Sequence, residues 1–264
     1  MDLQLKSKTA FISGSTQGIG FAIAKQLLNE GTKVIINGRT QEKVDLAIQS
    51  LIKAIPDADI SGIATDFTDT AAVSKLLAEL PQIDILINNV GIFELRPFVE
   101  IEDEDWSKIF EINVLSGIRL SRSLLPKMLE KRWGRIIFIS SESAINIPEN
   151  MIHYGMTKAA MLAVSNGLSK LTKNTEVTVN TILGGPTYSD GVAGTITQIA
   201  SAQNQDIAQV KNYIMNNFNP SSLLQRFIEP SEIANLAAYL SSPLSIATNG
   251  SALRADGGVL NTIV

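Results

Sequence analysis

The sequence predicts an α/β fold, a doubly wound parallel sheet of about seven strands with helices on both faces. Three observations carry that prediction. Short β-rich runs alternate with segments of helical periodicity, the signature of βαβ units. Each run closes on glycine or small polar residues, and right-handed crossovers would bring all these ends to one edge of the sheet. The first run is followed by Gly14-x-x-x-Gly18-x-Gly20 and then by a helical pattern. Such a turn lets a pyrophosphate approach the backbone at a helix N-terminus, where free N–H groups and the dipole favour an anion.

In chain order, Thr9–Ser13 is an apolar run closed by glycine and reads as the first strand. The glycine turn opens into FAIAKQLLNE, a helix that Gly31 ends as a C-terminal cap. A second strand, Lys33–Asn37, stops at Gly38-Arg39-Thr40 and leads into the helix EKVDLAIQSLIKA. A third, Ile60–Ala64, delivers Thr65, Asp66 and Phe67 to the same edge, and a fourth, Ile83–Ile87, delivers Asn88-Asn89-Val90-Gly91. The stretch Asp103–Arg132 reads as two helices with Asn113 between them and a local distortion at Pro126. Gly134–Ser140 is the fifth strand and places Ser141 at the edge; Val177–Leu183 is the sixth and ends in Gly184-Gly185-Pro186-Thr187. Residues 188–218 are polar, rich in Gln and Asn and weakly helical, and such an excursion reads as a lid over the crevice. A capped helix starts at Pro230 and runs through Tyr239, and Ser251–Ala255 is a final short strand. With no repeat or linker in between, residues 1–264 are expected to form one domain.

Composition narrows the function classes. The chain has 264 residues, 45% of them hydrophobic and 18% charged, with a formal net charge of -4. That balance suits a globular protein with a sizeable core and argues against non-specific nucleic-acid binding. There is no cysteine, hence no disulfide, thiolate metal site or cysteine nucleophile, and the single histidine, His153, excludes a multi-histidine metal centre. The first residues do not read as a signal peptide, and no apolar run reaches the ~18 residues of a membrane span. The expected setting is cytoplasmic, with no metal.

The chemistry centres on Tyr154 and Lys158, four residues apart at the start of the helical segment Tyr154–Lys173 and therefore on one helix face. A fixed ammonium beside a phenol favours the phenolate and pulls its pKa from roughly 10 toward neutrality. The pair could then pass a proton to or from an alcohol oxygen. His153, next to the tyrosine, reads as a structural or substrate-rim residue.

These residues together resemble the classical short-chain dehydrogenase/reductase family over nearly the whole chain. The family's glycine motif is similar to Gly14-x-x-x-Gly18-x-Gly20, and its Asn-Asn-Ala-Gly is similar to Asn88-Asn89-Val90-Gly91. Its catalytic asparagine falls on Asn113, its Tyr-x-x-x-Lys on Tyr154 and Lys158, and its serine, thirteen residues before the tyrosine, on Ser141. One departure is Gly184, where the family's Pro-Gly has proline, so a more flexible start to that loop is expected. The resemblance implies a Rossmann-type fold and an oxidoreductase moving a hydride between a nicotinamide cofactor and a carbonyl or secondary alcohol. Tyr154 would be the general acid/base, and Lys158 would lower its pKa and hold the nicotinamide ribose. Ser141 would donate to the carbonyl oxygen, and Asn113 would hold a water connecting Lys158 to solvent. Cofactor contacts are implied for Gly14, Ser15, Thr16, Gln17, Gly18, Ile19 and Gly20 in the first turn and for Arg39 and Thr40 after the second strand. They are implied too for Asp66 and Phe67 after the third, with Asp66 against the adenine, and for Asn89, Gly91, Tyr154, Lys158, Gly185, Pro186 and Thr187.

An acid at the end of the second strand would accept from the ribose 2′-hydroxyl of NAD. Here the strand ends Asn37-Gly38-Arg39-Thr40. Gly38 leaves room where the acid would stand, and Arg39 offers a charged fork suited to a phosphate. NADP is the expected cofactor and NAD the runner-up, the neutral Gln17 standing where many NADP-preferring relatives have a second base. A narrower alternative is reduction of 3-oxoacyl groups on acyl carrier protein; of the two basic docking positions Arg132 matches one, but Thr175 stands at the other. A non-catalytic cofactor sensor of the same fold is the alternative from another class, and the intact Tyr154 and Lys158 weigh against it. The family's common tetramer is expected too, through apolar Ala160, Met161, Val164 and Leu168 and the apolar end Gly258–Val264.

Overall fold

The computed structural model describes residues 2–263. Its strands are β1 (Thr9–Ile12), β2 (Lys33–Gly38), β3 (Ile60–Ala64), β4 (Ile85–Asn88), β5 (Trp133–Ser141), β6 (Glu176–Gly184) and β7 (Ala252–Ala255). They form one seven-stranded sheet in the order β3-β2-β1-β4-β5-β6-β7, every pair parallel. The connecting helices are α1 (Gly18–Asn29), α2 (Gln41–Ala54), α3 (Thr70–Glu79), α4 (Asp103–Phe110), α5 (Ser116–Lys131), α6 (Ile152–Ser169), α7 (Asp190–Gln203), α8 (Ile207–Phe218) and α9 (Pro230–Ser241). The strand order reverses between β1 and β4, and in open parallel sheets the crevice at such a switch point, outside the carboxyl ends, takes the ligand.

The strands are apolar throughout because both faces are covered. Alternate residues feed two cores. Ala10, Ile12, Val34, Ile36, Ile85, Ile87, Ile137 and Ile139 pack under α1, α2 and α9, meeting Ile23, Leu27, Val44 and Ile233. Phe11, Ile35, Leu86, Ile136 and Phe138 point the other way and meet Val73 of α3, Leu120 and Leu124 of α5 and Met161 of α6. Burying each such aliphatic side chain contributes on the order of 1.5–3 kcal/mol.

Several element ends have visible causes. Gly31, at φ +78°, directly follows Glu30, the C-cap of α1, and supplies the left-handed residue that ends the helix. Thr40 caps α2 by accepting from the Lys43 N–H, and Asp69 caps α3 through Ala71 and Ala72. α9 begins with Pro230 at its first position and a reciprocal Glu229–Glu232 capping box. The stretch Asp103–Arg132 holds the two expected helices, α4 and α5, with Asn113 between them. Asn113 lies in a single π turn, Glu111–Leu115, that joins α4 to α5, and Pro126 sits inside α5 without ending it. The weakly helical segment 188–218 is two full helices, α7 and α8, closed over a small core of Ile196, Ala200, Val210, Met215 and Phe227. Its polar residues are the outer faces of that hairpin. Among the described residues no helix is long and apolar enough to cross a membrane.

Candidate active site

The carboxyl ends of β1, β4, β5 and β6 bring the predicted residues to one crevice. β1 delivers the glycine turn, and buried polar side chains fix it. Ser13 Oγ accepts from the N–H groups of Asn89 and Val90, while Asn89 Nδ2 donates to the carbonyls of Ser13 and Gly14. Ser15 Oγ donates to the Ile12 carbonyl and accepts from Asn37 N–H, and Asn37 Oδ1 accepts from Gly14 N–H. The Ser15 and Asn89 side chains therefore help to shape the turn.

The turn is a cradle that side chains would fill. A Cβ on Gly20 would stand 2.5 Å from both the Gly14 carbonyl and Asn89 Nδ2, and Gly14 and Gly18 sit at φ +61° and +60°. The α1 N-terminus just behind offers free N–H groups, and one is already taken by a carboxylate. Asp190 Oδ2, from the first turn of α7, accepts from Gly18 N–H at 2.6 Å. These residues fit a dinucleotide pyrophosphate.

On the β2 side, the structure corrects two expectations. Gly38 does not leave open room, because a Cβ there would lie 2.5 Å from Thr16 Cγ2. The threonine methyl fills the place where an acid would stand. Phe67 turns its ring into the core and is 3% exposed, so its side chain is withdrawn from the crevice. Asp66 holds its own loop, accepting from Thr68 N–H and Oγ. Arg39 is exposed, and a basic residue that sequence reasoning passed over stands nearby. Lys43, one turn into α2, lines a cavity of about 300 Å³ with Thr16, Gln17 and Asp190. Its spacing of three from the cap Thr40 was the available signal.

At the centre, the π turn points the Asn113 side chain at the loop after β4. Its Nδ2 donates to the Ile92 carbonyl and to Thr157 Oγ, and its Oδ1 accepts from Ile92 N–H. Gly91 lies between the two polar side chains, and a Cβ on it would stand in ordinary contact, 3.5 Å, with both Asn113 Oδ1 and Lys158 Nζ. Lys158 is buried and donates from Nζ to the Ile139 carbonyl at 2.9 Å. Burial lowers its pKa to about 8, against the opposing pull of Glu142. Tyr154 lies beside it, with Lys158 Nζ 5.5 Å from the ring centroid and Phe93 edge-on at 6.3 Å.

The expected depression of the Tyr154 pKa is not what this arrangement gives. Burial and the Glu142 carboxylate push the phenol well above its ordinary value, and only the Ser141 hydroxyl pulls it back. The main physical reason is loss of hydration on burial, with the Glu142 carboxylate second, while the Lys158 ammonium is turned to a backbone carbonyl. Glu142, which the sequence reading missed, accepts from Ser141 Oγ and, at 3.2 Å, from Ser143 Oγ. A carboxylate directly after the serine was visible in the sequence, but nothing there said which way it would point. His153 is buried edge-on against Trp106 at 5.9 Å and lines a small cavity with Ile92 and Phe93.

After β6, Gly185 is required by close approach, since a Cβ would stand 2.5 Å from the Asp256 carbonyl. Gly184 is not a flexible start. It is the last rung of the ladder, buried and paired with both Ser141 and Ala255. Thr187 Oγ donates to the Gly185 carbonyl, and Pro186 lies between them. Arg132 is drawn to the Asn174 carbonyl, so one of the two carrier-docking positions is already engaged.

Comparison with known proteins agrees with this geometry. A family model described as short chain dehydrogenase matches residues 8–200. Two oxidoreductases of Bacillus subtilis (strain 168), YvaG and YvrD, both named as uncharacterized, are 43% and 44% identical, each over all of both chains. The crystal structure of an L-sorbose reductase from Gluconobacter frateurii, complexed with NADPH and L-sorbose, superposes with a TM-score of 0.93 at 28% identity, again over the whole of both chains.

Proposed function

The chain belongs to the short-chain dehydrogenase family of oxidoreductases, and from that premise we propose that it is an NADP-dependent reductase of ketones, with Tyr154 as the proton donor. One observation carries the reading: Tyr154, Ser141 and Lys158 meet at the carboxyl edge beside a glycine cradle shaped for a pyrophosphate. A nicotinamide bound there supplies or accepts the hydride. The chain's own residues do the rest. Tyr154, held protonated by burial, gives its proton to the substrate oxygen, a role that suits reduction better than oxidation. Ser141 donates a hydrogen bond where negative charge develops. Lys158 holds the ribose hydroxyls, and Asn113, whose side chain is engaged, would hold a relay water at its main chain. Arg39 and Lys43 flank the adenosine end and favour a 2′-phosphate. The α7–α8 hairpin, residues 188–218, is the lid over the substrate, and Phe93 is its opposite wall.

Ketoses and other hydroxyketones stand first among candidate substrates, because the fold of an L-sorbose reductase is shared along the whole chain. The test is a ketone and ketose panel followed by nicotinamide absorbance, with wild type beside Tyr154→Phe. The variant is expected to fold and to bind cofactor, and to lose about 10²–10⁴-fold in turnover. More than about a tenth of wild-type turnover in the variant, or no turnover of any carbonyl compound by wild type, would remove the reading.

A further inference from the structure

Ser141 has one hydroxyl proton, and in this structure that proton is committed. Ser141 Oγ donates to Glu142 Oε2 and accepts from Ser143 N–H at 3.1 Å, while Ser143 Oγ donates to Glu142 Oε1. A hydroxyl proton aimed at a carboxylate is not available to a substrate oxygen. We propose that Glu142 is a positioning residue for the reaction, turning the Ser141 hydroxyl toward itself when ionised and releasing it to the substrate oxygen when protonated. The inference rests on the reading of Ser141 given above.

The proton inventory closes. With Glu142 ionised, its oxygens accept from both serines. With Glu142 protonated, its O–H donates to Ser141 Oγ, and the Ser141 proton is free to point at the carbonyl oxygen. That extra proton enters from solvent before the reaction and stays on Glu142 throughout. Reduction consumes the hydride and the Tyr154 proton, and nothing from Glu142. Glu142 as a residue is half-buried, and its carboxyl lies deep in the crevice. Burial raises its pKa, with Ser141 and Ser143 holding it back, so the protonated form lies closer to neutral pH than for an exposed glutamate. The charged and titratable groups facing it are Tyr154 and Lys158 of α6. The end of β6 packed beside it, Leu183 and Gly184, carries no charge.

The arrangement gives a signature that a purely structural glutamate would lack. Reduction should slow as pH rises through the Glu142 pKa, ahead of the further loss expected as Lys158 gives up its charge near pH 8. Glu142→Gln presents an N–H donor to Ser141 at every pH. It should keep activity on the acid side and exceed wild type by about threefold to tenfold where wild-type Glu142 is ionised. On the acid side, Glu142→Ala, which cannot orient Ser141, should lose about tenfold, and should cost nothing further in a Ser141→Ala background. A second readout needs no turnover. In the cofactor-free protein, an infrared titration of the Glu142 carboxyl, assigned by difference from Glu142→Gln, should shift upward in Ser141→Ala as the stabilising hydrogen bond is lost.

Alanine and glutamine variants both matching wild type at every pH would overturn the proposal. So would a Glu142→Ala penalty undiminished in the Ser141→Ala background, or a carboxyl titration blind to Ser141→Ala. If wild type turns over no carbonyl compound, the functional reading fails instead, and the infrared titration alone decides the Glu142–Ser141 coupling.

Discussion

Lys158 shows what a buried charge costs at a single residue. Its pKa is lowered by burial from 10.5 to about 8. Between those values the unfolded chain holds more protons than the folded one. Stability therefore rises with pH across that window, and it is reduced below pH 8, where a charged lysine is kept inside. The difference is worth at most about 3 kcal/mol, less the hydrogen bond to Ile139. Lys158→Met is accordingly expected to be inactive yet more stable by roughly 1–3 kcal/mol at pH 7. Urea unfolding at pH 7 and pH 10 checks this, and the advantage should shrink at the higher pH. Arg39 makes a different kind of residue claim. A charge-assisted bond to a partly exposed phosphate is worth about 1.5–3 kcal/mol, or roughly ten- to a hundredfold in preference. Arg39→Ala should shift the ratio of kcat/KM for NADP over NAD by that factor, and Lys43→Ala should add to it. Wild type preferring NAD would defeat the cofactor assignment.

Among the elements, the joint between α4 and α5 and the first turn of α7 matter most. A π turn widens the helical register for one turn, and here, between α4 and α5, it aims Asn113 at Ile92 and Thr157. The α7–α8 hairpin packs on a small core completed by Phe227, and its Asp190 carboxylate sits on Gly18 N–H. That is the kind of site a pyrophosphate takes at a helix N-terminus. Cofactor binding on this reading displaces the carboxylate. Asp190→Asn weakens the contact it must break, and cofactor affinity measured by calorimetry should rise about threefold to tenfold. Weaker binding by the variant would mean that the carboxylate helps to hold the cofactor.

For the whole molecule, the surface says more about assembly than the sequence did. Of the α6 side chains expected at a subunit contact, Met161 is buried in the core, while Ala160, Val164 and Leu168 are partly exposed. Among the exposed apolar side chains, Leu95, Phe98 and Val99 stand close together in the chain just before α4. A cluster of that kind marks a subunit contact, and the tetramer expected from the family is proposed to use it. Light scattering should return the mass of four 28.5 kDa chains. Phe98→Asp with Val99→Asp should lower that mass without unfolding the protein. A monomeric wild type would dispose of the tetramer.

The sequence by itself determined the seven parallel strands, each within two residues of its observed ends, and the convergence of Tyr154, Lys158, Ser141 and Asn113. Local rules suffice there. Hydrophobic periodicity fixes strand and helix, handedness fixes the edge, and a spacing of four fixes the face. What only the tertiary structure decided depends on neighbours distant in sequence. Thr16 fills the space at Gly38, the core claims Phe67 and Met161, and Asp256 demands Gly185. The state of Tyr154 belongs here too. Its proton affinity is set by burial and by a carboxylate twelve residues earlier in the chain, Glu142, opposed by the Ser141 hydroxyl and not by the lysine one turn away. Spacing along a helix places a side chain on a face, but dielectric surroundings and the direction of an ammonium follow from packing in three dimensions.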